Sequence, residues 1–236
     1  MIKTAIILAG GLGTRLRSAV ADLPKCMAPV DGKPFISFVI AALQQEGIEN
    51  FIFSLGYKSD AIIDYVDRDF KNINKKYVIE AKQLGTGGAI AEACKAVEEE
   101  HVIVVNGDTL FMVDIKELSL FHQNNGSDCT IALKEMSNFD RYGAVELGGD
   151  NIIVAFNEKQ FCSIGCINGG VYALHVKSLL DAGHPEVFSF EKEFLEKNIG
   201  IKKLYGVVNK GYFIDIGIPE DYLKFQHEYA TVTNNN

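Results

Sequence analysis

The sequence predicts a three-layer α/β/α, Rossmann-like fold built on a mixed, mostly parallel central sheet. Three observations carry that expectation. Apolar runs of strand length, Ala5-Ile6-Ile7-Leu8, Phe51-Ile52-Phe53-Ser54-Leu55 and His101-Val102-Ile103-Val104-Val105, are separated by segments whose apolar residues recur at helical spacing. Strand, helix, strand in this cadence implies right-handed βαβ units. Glycine-rich stretches follow two of the strands, and beyond residue 127 short strand-like runs succeed one another without helices, where the sheet should turn mixed.

The first strand runs into Ala9-Gly10-Gly11-Leu12-Gly13-Thr14-Arg15-Leu16, with Leu23-Pro24-Lys25 further on. In an open α/β sheet this carboxyl edge is where ligands bind. Gly10, Gly11 and Gly13 remove the Cβ atoms that would hold a backbone away from a bound group, and they permit turns that aim several N–H groups inward. Such a loop suits phosphate, with Leu8 at the strand end and Thr14 among the flanking contacts. Arg15 adds a planar charged fork and Lys25 a mobile point charge. A G-x-G-x-x-G fingerprint is excluded because Leu16 stands at the third small position, and no G-x-x-x-x-G-K-[ST] run occurs.

Gly10-Gly11-x-Gly13-Thr14-Arg15-Leu16 followed by Pro24-Lys25 resembles the signature of the sugar-1-phosphate nucleotidyltransferases, which join a nucleoside triphosphate to a sugar 1-phosphate and release pyrophosphate. Later segments resemble one branch, the D-glycero-α-D-manno-heptose 1-phosphate guanylyltransferases, and the similarity runs from residue 3 to about residue 226. The resemblance implies the GT-A-like version of the fold, GTP and a heptose 1-phosphate as small-molecule substrates, and Mg2+ as cofactor.

Asp31-Gly32-Lys33-Pro34 reads as a turn, and Phe35, Ile36, Val39, Ile40 and Leu43 as one face of a helix that stops at Gly47. The strand at Phe51 is followed by a helix carrying Ile62, Ile63 and Val66. Tyr77-Val78-Ile79-Glu80 reads as the next strand, and Leu84-Gly85-Thr86-Gly87-Gly88-Ala89 opens a helix through Ile90, Ala93, Cys94 and Val97. Two glycine-rich loops from neighbouring strands can line one cleft from two sides. By resemblance Gly85, Gly87 and Gly88 contact the nucleotide and Glu80 takes part in base recognition; the residues alone equally fit a tight turn needed for helix packing.

The run from His101 to Thr109 reads as the most buried strand and ends in Asp108. A carboxylate beside a triphosphate repels it unless a divalent cation lies between them, and magnesium is the economical choice. The alternative for the residue alone is a side-chain cap on the following turn, worth ~1 kcal/mol. A helix with Leu118 and Phe121 follows, then strands at Cys129–Leu133, Gly143–Leu147 and Ile152–Phe156, the last two joined by a hairpin signal, Gly148-Gly149-Asp150-Asn151.

Asp140-Arg141-Tyr142-Gly143 resembles the family segment that frames the sugar, with Tyr142 and Gly143 as contacts. Glu158-Lys159 resembles the pair that holds sugar hydroxyls and the sugar phosphate; a surface ion pair is the other reading. Gln160, and Cys26 after Lys25, stand where the family more often has proline. In Ile167-Asn168-Gly169-Gly170-Val171-Tyr172, Asn168 and Gly169 match the family's sugar-binding residues, while the residues themselves also fit a glycine bulge. Phe188-Ser189-Phe190-Glu191, with Ser189 as N-cap, resembles an element of the heptose branch. Tyr212 to Tyr222 places Asp215 at the end of an apolar strand, before a helix that Pro219 can start. By resemblance Asp108 and Asp215 are the two metal ligands and, with Arg15 and Lys25, the catalytic set. They can share one ion only if the sheet brings them together.

With 236 residues, 47% hydrophobic and 23% charged, the chain is expected to form one domain over 1–236. Residues 1–126 would form its nucleotide-binding part, 127–226 its sugar-binding part and 227–236 a frayed tail, with no appended β-helix domain. No apolar run approaches the roughly 18 residues that span a bilayer, and no signal peptide is recognisable. Five cysteines, odd in number and mostly isolated, suit a reducing, cytoplasmic setting. A net charge of −8 argues against nucleic acid as a partner. Other readings are uridylyl or thymidylyl transfer to another sugar 1-phosphate such as glucose or N-acetylmuramate 1-phosphate, and a nucleotide-sugar sensor that has lost catalysis. A metal-dependent glycosyltransferase would instead need Asp-x-Asp where Asp108-Thr109-Leu110 stands.

Overall fold

In a computed structural model that describes residues 1–11 and 23–232, the parallel half of the sheet forms first along the chain. β1 (Thr4–Ala9) pairs in parallel with β4 (Asn50–Leu55) on one side and β6 (His101–Asn106) on the other, and β4 continues to β5 (Asn74–Ile79). Between them lie a small hairpin of β2 (Pro29–Val30) and β3 (Lys33–Pro34), then α1 (Ile36–Gln45), α2 (Ser59–Asp69) and α3 (Gly85–Cys94). Val97, expected on α3, lies beyond its end.

The second half turns the sheet mixed. After β7 (Thr109–Phe111) and α4 (Ile115–Asn124) come β8 (Cys129–Phe139), the hairpin β9 (Ala144–Leu147) and β10 (Ile153–Phe156), and the long β11 (Cys162–His175). β11 runs antiparallel to β6, β8 and β9, which gives a strand order β10-β9-β11-β6-β1-β4-β5. Then follow α5 (Val176–Leu180), a π-helical turn at Phe190–Leu195, β12 (Leu204–Asn209) in parallel with β8, β13 (Phe213–Asp215) and α6 (Pro219–Val232). Ser189 caps the π turn as expected, its Oγ accepting from the Lys192 N–H at 3.2 Å.

Alternation along each buried strand divides the core into two layers, as the period of two requires. Ala5, Ile7, Phe51, Phe53, Ile103 and Val105 face α1, α2 and α6 through Ile36, Ile40, Val66 and Phe225. Ile6, Ile52, Val102 and Val104 face the other way onto Ile90 of α3, Leu179 of α5 and the stacked pair Phe190 and Phe194. The three-layer α/β/α expectation holds.

The run from His101 does not continue unbroken to Asp108. β6 ends at Asn106, the chain turns at Gly107-Asp108, and β7 leaves the main sheet to pair with β13 as a separate two-stranded ladder. That ladder sets Thr109 opposite Asp215, and the Ile216 N–H donates to the Asp108 carbonyl at 3.1 Å. A three-residue ladder, and not the main sheet, joins the two strand-end aspartates.

At the opposite end of β6 three histidines meet. His101 Nδ1 lies 3.1 Å from His122 Nε2, whose other ring nitrogen lies 3.0 Å from Thr130 Oγ1, and His175 Nε2 lies 3.2 Å from Glu100. Burial, with the neighbouring His101 and His175, pushes His122 down to about 3, against a weak opposing pull from Asp128. In the unfolded chain the same ring takes a proton near pH 6.5. Stability is therefore complete above pH 6.5 and falls as the pH drops below it, by about 2 kcal/mol at pH 5. Urea unfolding at pH 7.5 and pH 5 should show that loss in the wild type and a clearly smaller one in His122→Gln; equal losses would overturn the assignment.

Candidate active site

Lys25 begins a short 3₁₀ turn, Lys25–Met27, fastened from below by the buried Cys26 and Met27. Burial holds the Cys26 thiol at about 12, so it stays protonated and acts as a small core residue. The turn leaves Lys25 Nζ 2.5 Å from Asp108 Oδ2 and 3.2 Å from Asp215 Oδ1. Side chains far apart in the sequence thus converge on one ammonium group. Asp215 Oδ1 also accepts from the Gly217 N–H at 2.7 Å. A Cβ on Gly217 would stand 2.9 Å from that oxygen and 3.1 Å from Lys25 Nζ, so the position beside the carboxylate admits only glycine without displacement.

Two clefts open on either side of this triad. The first, about 360 Å³, is lined by Leu8, Gly10, Gly11, Glu80, Gly85 and Asp108, all anticipated from the sequence, together with Ser54, Gln83, Thr86, Ala89, Asn106 and Glu191, which were not. Gly10 is tight: a Cβ there would come within 2.9 Å of Glu80 Oε1, whereas Gly11 faces open space. Burial raises the Glu80 carboxyl above its ordinary range, partly offset by the Leu84 N–H that donates to it at 3.1 Å. Glu191 accepts from Thr86 Oγ1 at 2.7 Å and from Ser189 Oγ at 3.0 Å, tying the π turn to the mouth of the cleft.

The second cleft, about 310 Å³, is lined by Arg141, Tyr142, Lys159, Asp215, Gly217, Ile218 and Asp221. Tyr142 and Lys159 were anticipated; Arg141 and Asp221, which form an ion pair, were not given roles. Gly143 lies behind the wall, where a Cβ would collide with the Asn157 carbonyl at 2.5 Å, and Glu158 is exposed beside Lys159.

Several other expected contacts are engaged by the protein itself. Gly87 and Gly88 lie in the first turn of α3, where added Cβ atoms would fall 2.2 Å from the Phe188 ring and 2.3 Å from the Glu186 carbonyl. The Gly87 N–H donates to the Phe188 carbonyl at 3.0 Å. Asn168 Nδ2 donates to the Tyr172 hydroxyl and its Oδ1 accepts from the Gly170 N–H, both at 3.0 Å. Gly169 packs on the Phe111 ring, at the point where β11 carries extra residues against β8. Gly87, Gly88 and Gly169 are each closely packed by other parts of the chain. Gly13, Thr14 and Arg15, with Leu12 and Leu16, lie outside the described residues, as does the tail from Thr233.

Asp108 and Asp215 could hold a divalent cation. Their carboxylates supply hard oxygen donors, the chemistry magnesium selects, and both stand beside Lys25 Nζ. Among the described residues no group of three or more His, Cys, Asp or Glu side chains is assembled for a metal. Two carboxylates suit an ion that completes its shell with phosphate oxygens and water. No described helix is long and apolar enough to cross a membrane.

Comparison with known proteins gives consistent relatives. The family model described as nucleotidyl transferase matches residues 4–232. The chain is 48% identical over 224 residues to the D-glycero-alpha-D-manno-heptose 1-phosphate guanylyltransferase of Aneurinibacillus thermoaerophilus, covering 95% of this chain and 97% of that one. It is 46% identical to the enzyme of the same name from Campylobacter jejuni, covering 94% and 97%. The structure of HddC from Yersinia pseudotuberculosis complexed with GMP-PN superposes with a TM-score of 0.87 at 41% identity, over 97% of this chain and 100% of that one.

Proposed function

The chain belongs to the nucleotidyl transferase family, and from that premise we propose that it transfers GMP from GTP to D-glycero-α-D-manno-heptose 1-phosphate, releasing pyrophosphate and forming a GDP-heptose. One observation of the structure supports a reaction between two substrates: two clefts of comparable size open beside Lys25, Asp108 and Asp215. A reaction that joins two phosphorylated substrates needs one site for each and a charged centre at their junction.

The chemistry asks little of the protein in proton transfer. A phosphate monoester has its second pKa near 6, so the attacking oxygen is already ionised at pH 7. That oxygen forms a bond to the α-phosphorus as the bond from the α-phosphorus to the α–β bridging oxygen breaks, and pyrophosphate leaves with the bridging electrons. Lys25 is held where negative charge accumulates during this exchange, and its ammonium offsets that charge. Magnesium, held by Asp108 and Asp215, would supply Lewis-acid neutralisation of phosphate oxygens. Leu8, Gly10, Gly11 and Gly85 would bring backbone close to the nucleotide, while Tyr142 and Lys159 would face the sugar phosphate.

Glu80 supports guanine as the base. Guanine offers an N1–H and an exocyclic amino group side by side, and a carboxylate accepts from both. Glu80→Gln should raise the KM for GTP about 10–100-fold while leaving that for heptose 1-phosphate near its original value. An unchanged KM for GTP would remove Glu80 from base recognition.

The function is tested by pyrophosphate release in magnesium with the four nucleoside triphosphates, each against heptose, mannose, glucose and N-acetylmuramate 1-phosphates. Release confined to GTP with the heptose ester is expected. Release with a different pair keeps the mechanism and discards the substrate assignment, and binding without release by any pair would indicate a sensor.

A further inference from the structure

Arg141 leaves the end of β8 on one wall of the second cleft, and Asp221 stands in the first turn of α6 on the other. Arg141 Nη2 donates to Asp221 Oδ2 at 2.6 Å across the gap, and the guanidinium lies 5.6 Å over the Tyr142 ring. The cleft is therefore electrostatically closed. Its cations are Arg141 and Lys159, its anions Asp215 and Asp221, while Lys25 is committed to Asp108 and Asp215. A phosphate dianion entering such a cleft can meet the exposed Lys159 directly, but it gains a second cation only by drawing one away from a carboxylate.

Of the two cations that carboxylates hold here, Arg141 is the more easily drawn. Its side chain is 44% exposed against 13% for Lys25, and an exposed ion pair contributes little net stability. Guanidinium carries five N–H donors in a planar fork matched to phosphate, and the bond to Asp221 uses one amino group. Asp221 keeps a favourable position after the exchange, because a carboxylate in the first turn of a helix is stabilised by the helix N-terminus.

We propose that Arg141 is a ligand of the incoming sugar phosphate, that it exchanges Asp221 for that phosphate, and that Asp221 is a positioning residue whose competition sets how readily the second cleft fills. The proposal rests on the reading of that cleft as the sugar-phosphate side.

Partners in an ion pair that only braces the fold should fail alike, whereas here they should differ in sign. Steady-state kinetics of the full chain with GTP and heptose 1-phosphate should give a KM for the sugar phosphate about 30-fold higher in Arg141→Gln and about 10-fold higher in Arg141→Lys, which keeps the charge but loses the fork. Asp221→Asn should lower it about 3-fold by removing the competing charge. The KM for GTP should move less than about 2-fold in all three. Should Arg141→Gln fail to fold, Arg141→Lys and Asp221→Asn still give opposite signs. An unchanged KM in the arginine variants, or a rise in Asp221→Asn, overturns the proposal. If the wild type uses a different sugar 1-phosphate, the heptose assignment falls and the variants are compared on that ester. If it uses none, calorimetric titration of wild type and variants with inorganic phosphate gives the same comparison of signs.

Discussion

Replacing Lys25 with alanine is expected to lower kcat by about 10²–10³, the scale seen when one preorganised electrostatic stabiliser is removed. The resting contacts of Lys25 explain why the loss should appear in kcat more than in substrate binding. Its ammonium lies 2.5 Å from Asp108 and 3.2 Å from Asp215, so any contact with substrate phosphate replaces contacts it already has. Ground-state binding gains little from such an exchange. The gain comes when negative charge moves onto the departing pyrophosphate, because that charge is absent before the bond breaks. KM for GTP should change by less than about 10-fold, as a loss confined to the transition state requires. Lys25→Arg should retain part of the activity, since the charge is kept but the buried 3₁₀ turn places a longer, planar group. Full activity in Lys25→Ala would remove the residue from catalysis, and a raised KM for GTP with kcat unchanged would make it a binding residue only.

The parts of this site legible in the sequence are those that depend on neighbours along the chain. An apolar run followed by a carboxylate locates Asp108 and Asp215 at strand ends, and a glycine run after a strand locates Gly10 and Gly11 at the cleft edge. The parts not legible depend on distant partners. β7 and β13 are three residues each, too short for periodicity to reveal, yet their pairing is what joins the aspartates. Gly87 reads as a place where something approaches the backbone closely, and the structure supplies Phe188 from about a hundred residues later. Nothing in the sequence around Asn168 announces that its amide donates to the Tyr172 hydroxyl. The Arg141 to Asp221 pair spans 80 residues, and nothing local to either announces the other.

Asp215→Asn separates two roles that the resting structure leaves superimposed. If Asp215 served only to hold Lys25, its neutralisation would leave that ammonium to Asp108 alone and easier for phosphate to reach, and activity would stay level or rise. If the pair of carboxylates is needed for a divalent cation, turnover should fall by about 10²–10³. The magnesium concentration for half-maximal activity should rise by about 10-fold or more, on the scale of lost metal-site interactions. Affinity for GTP measured without any divalent cation should move the other way and tighten, because one negative charge has left the junction of the two clefts. The substitution is suited to this comparison. Asparagine retains an oxygen able to accept from the Gly217 N–H, which now donates to Asp215 at 2.7 Å, and the backbone pairing of residue 215 with Thr109 does not involve the side chain. A fall in turnover at every magnesium concentration, together with tighter metal-free binding of GTP, is the expected combination. Undiminished turnover at low magnesium would leave Asp215 as a partner of Lys25 alone.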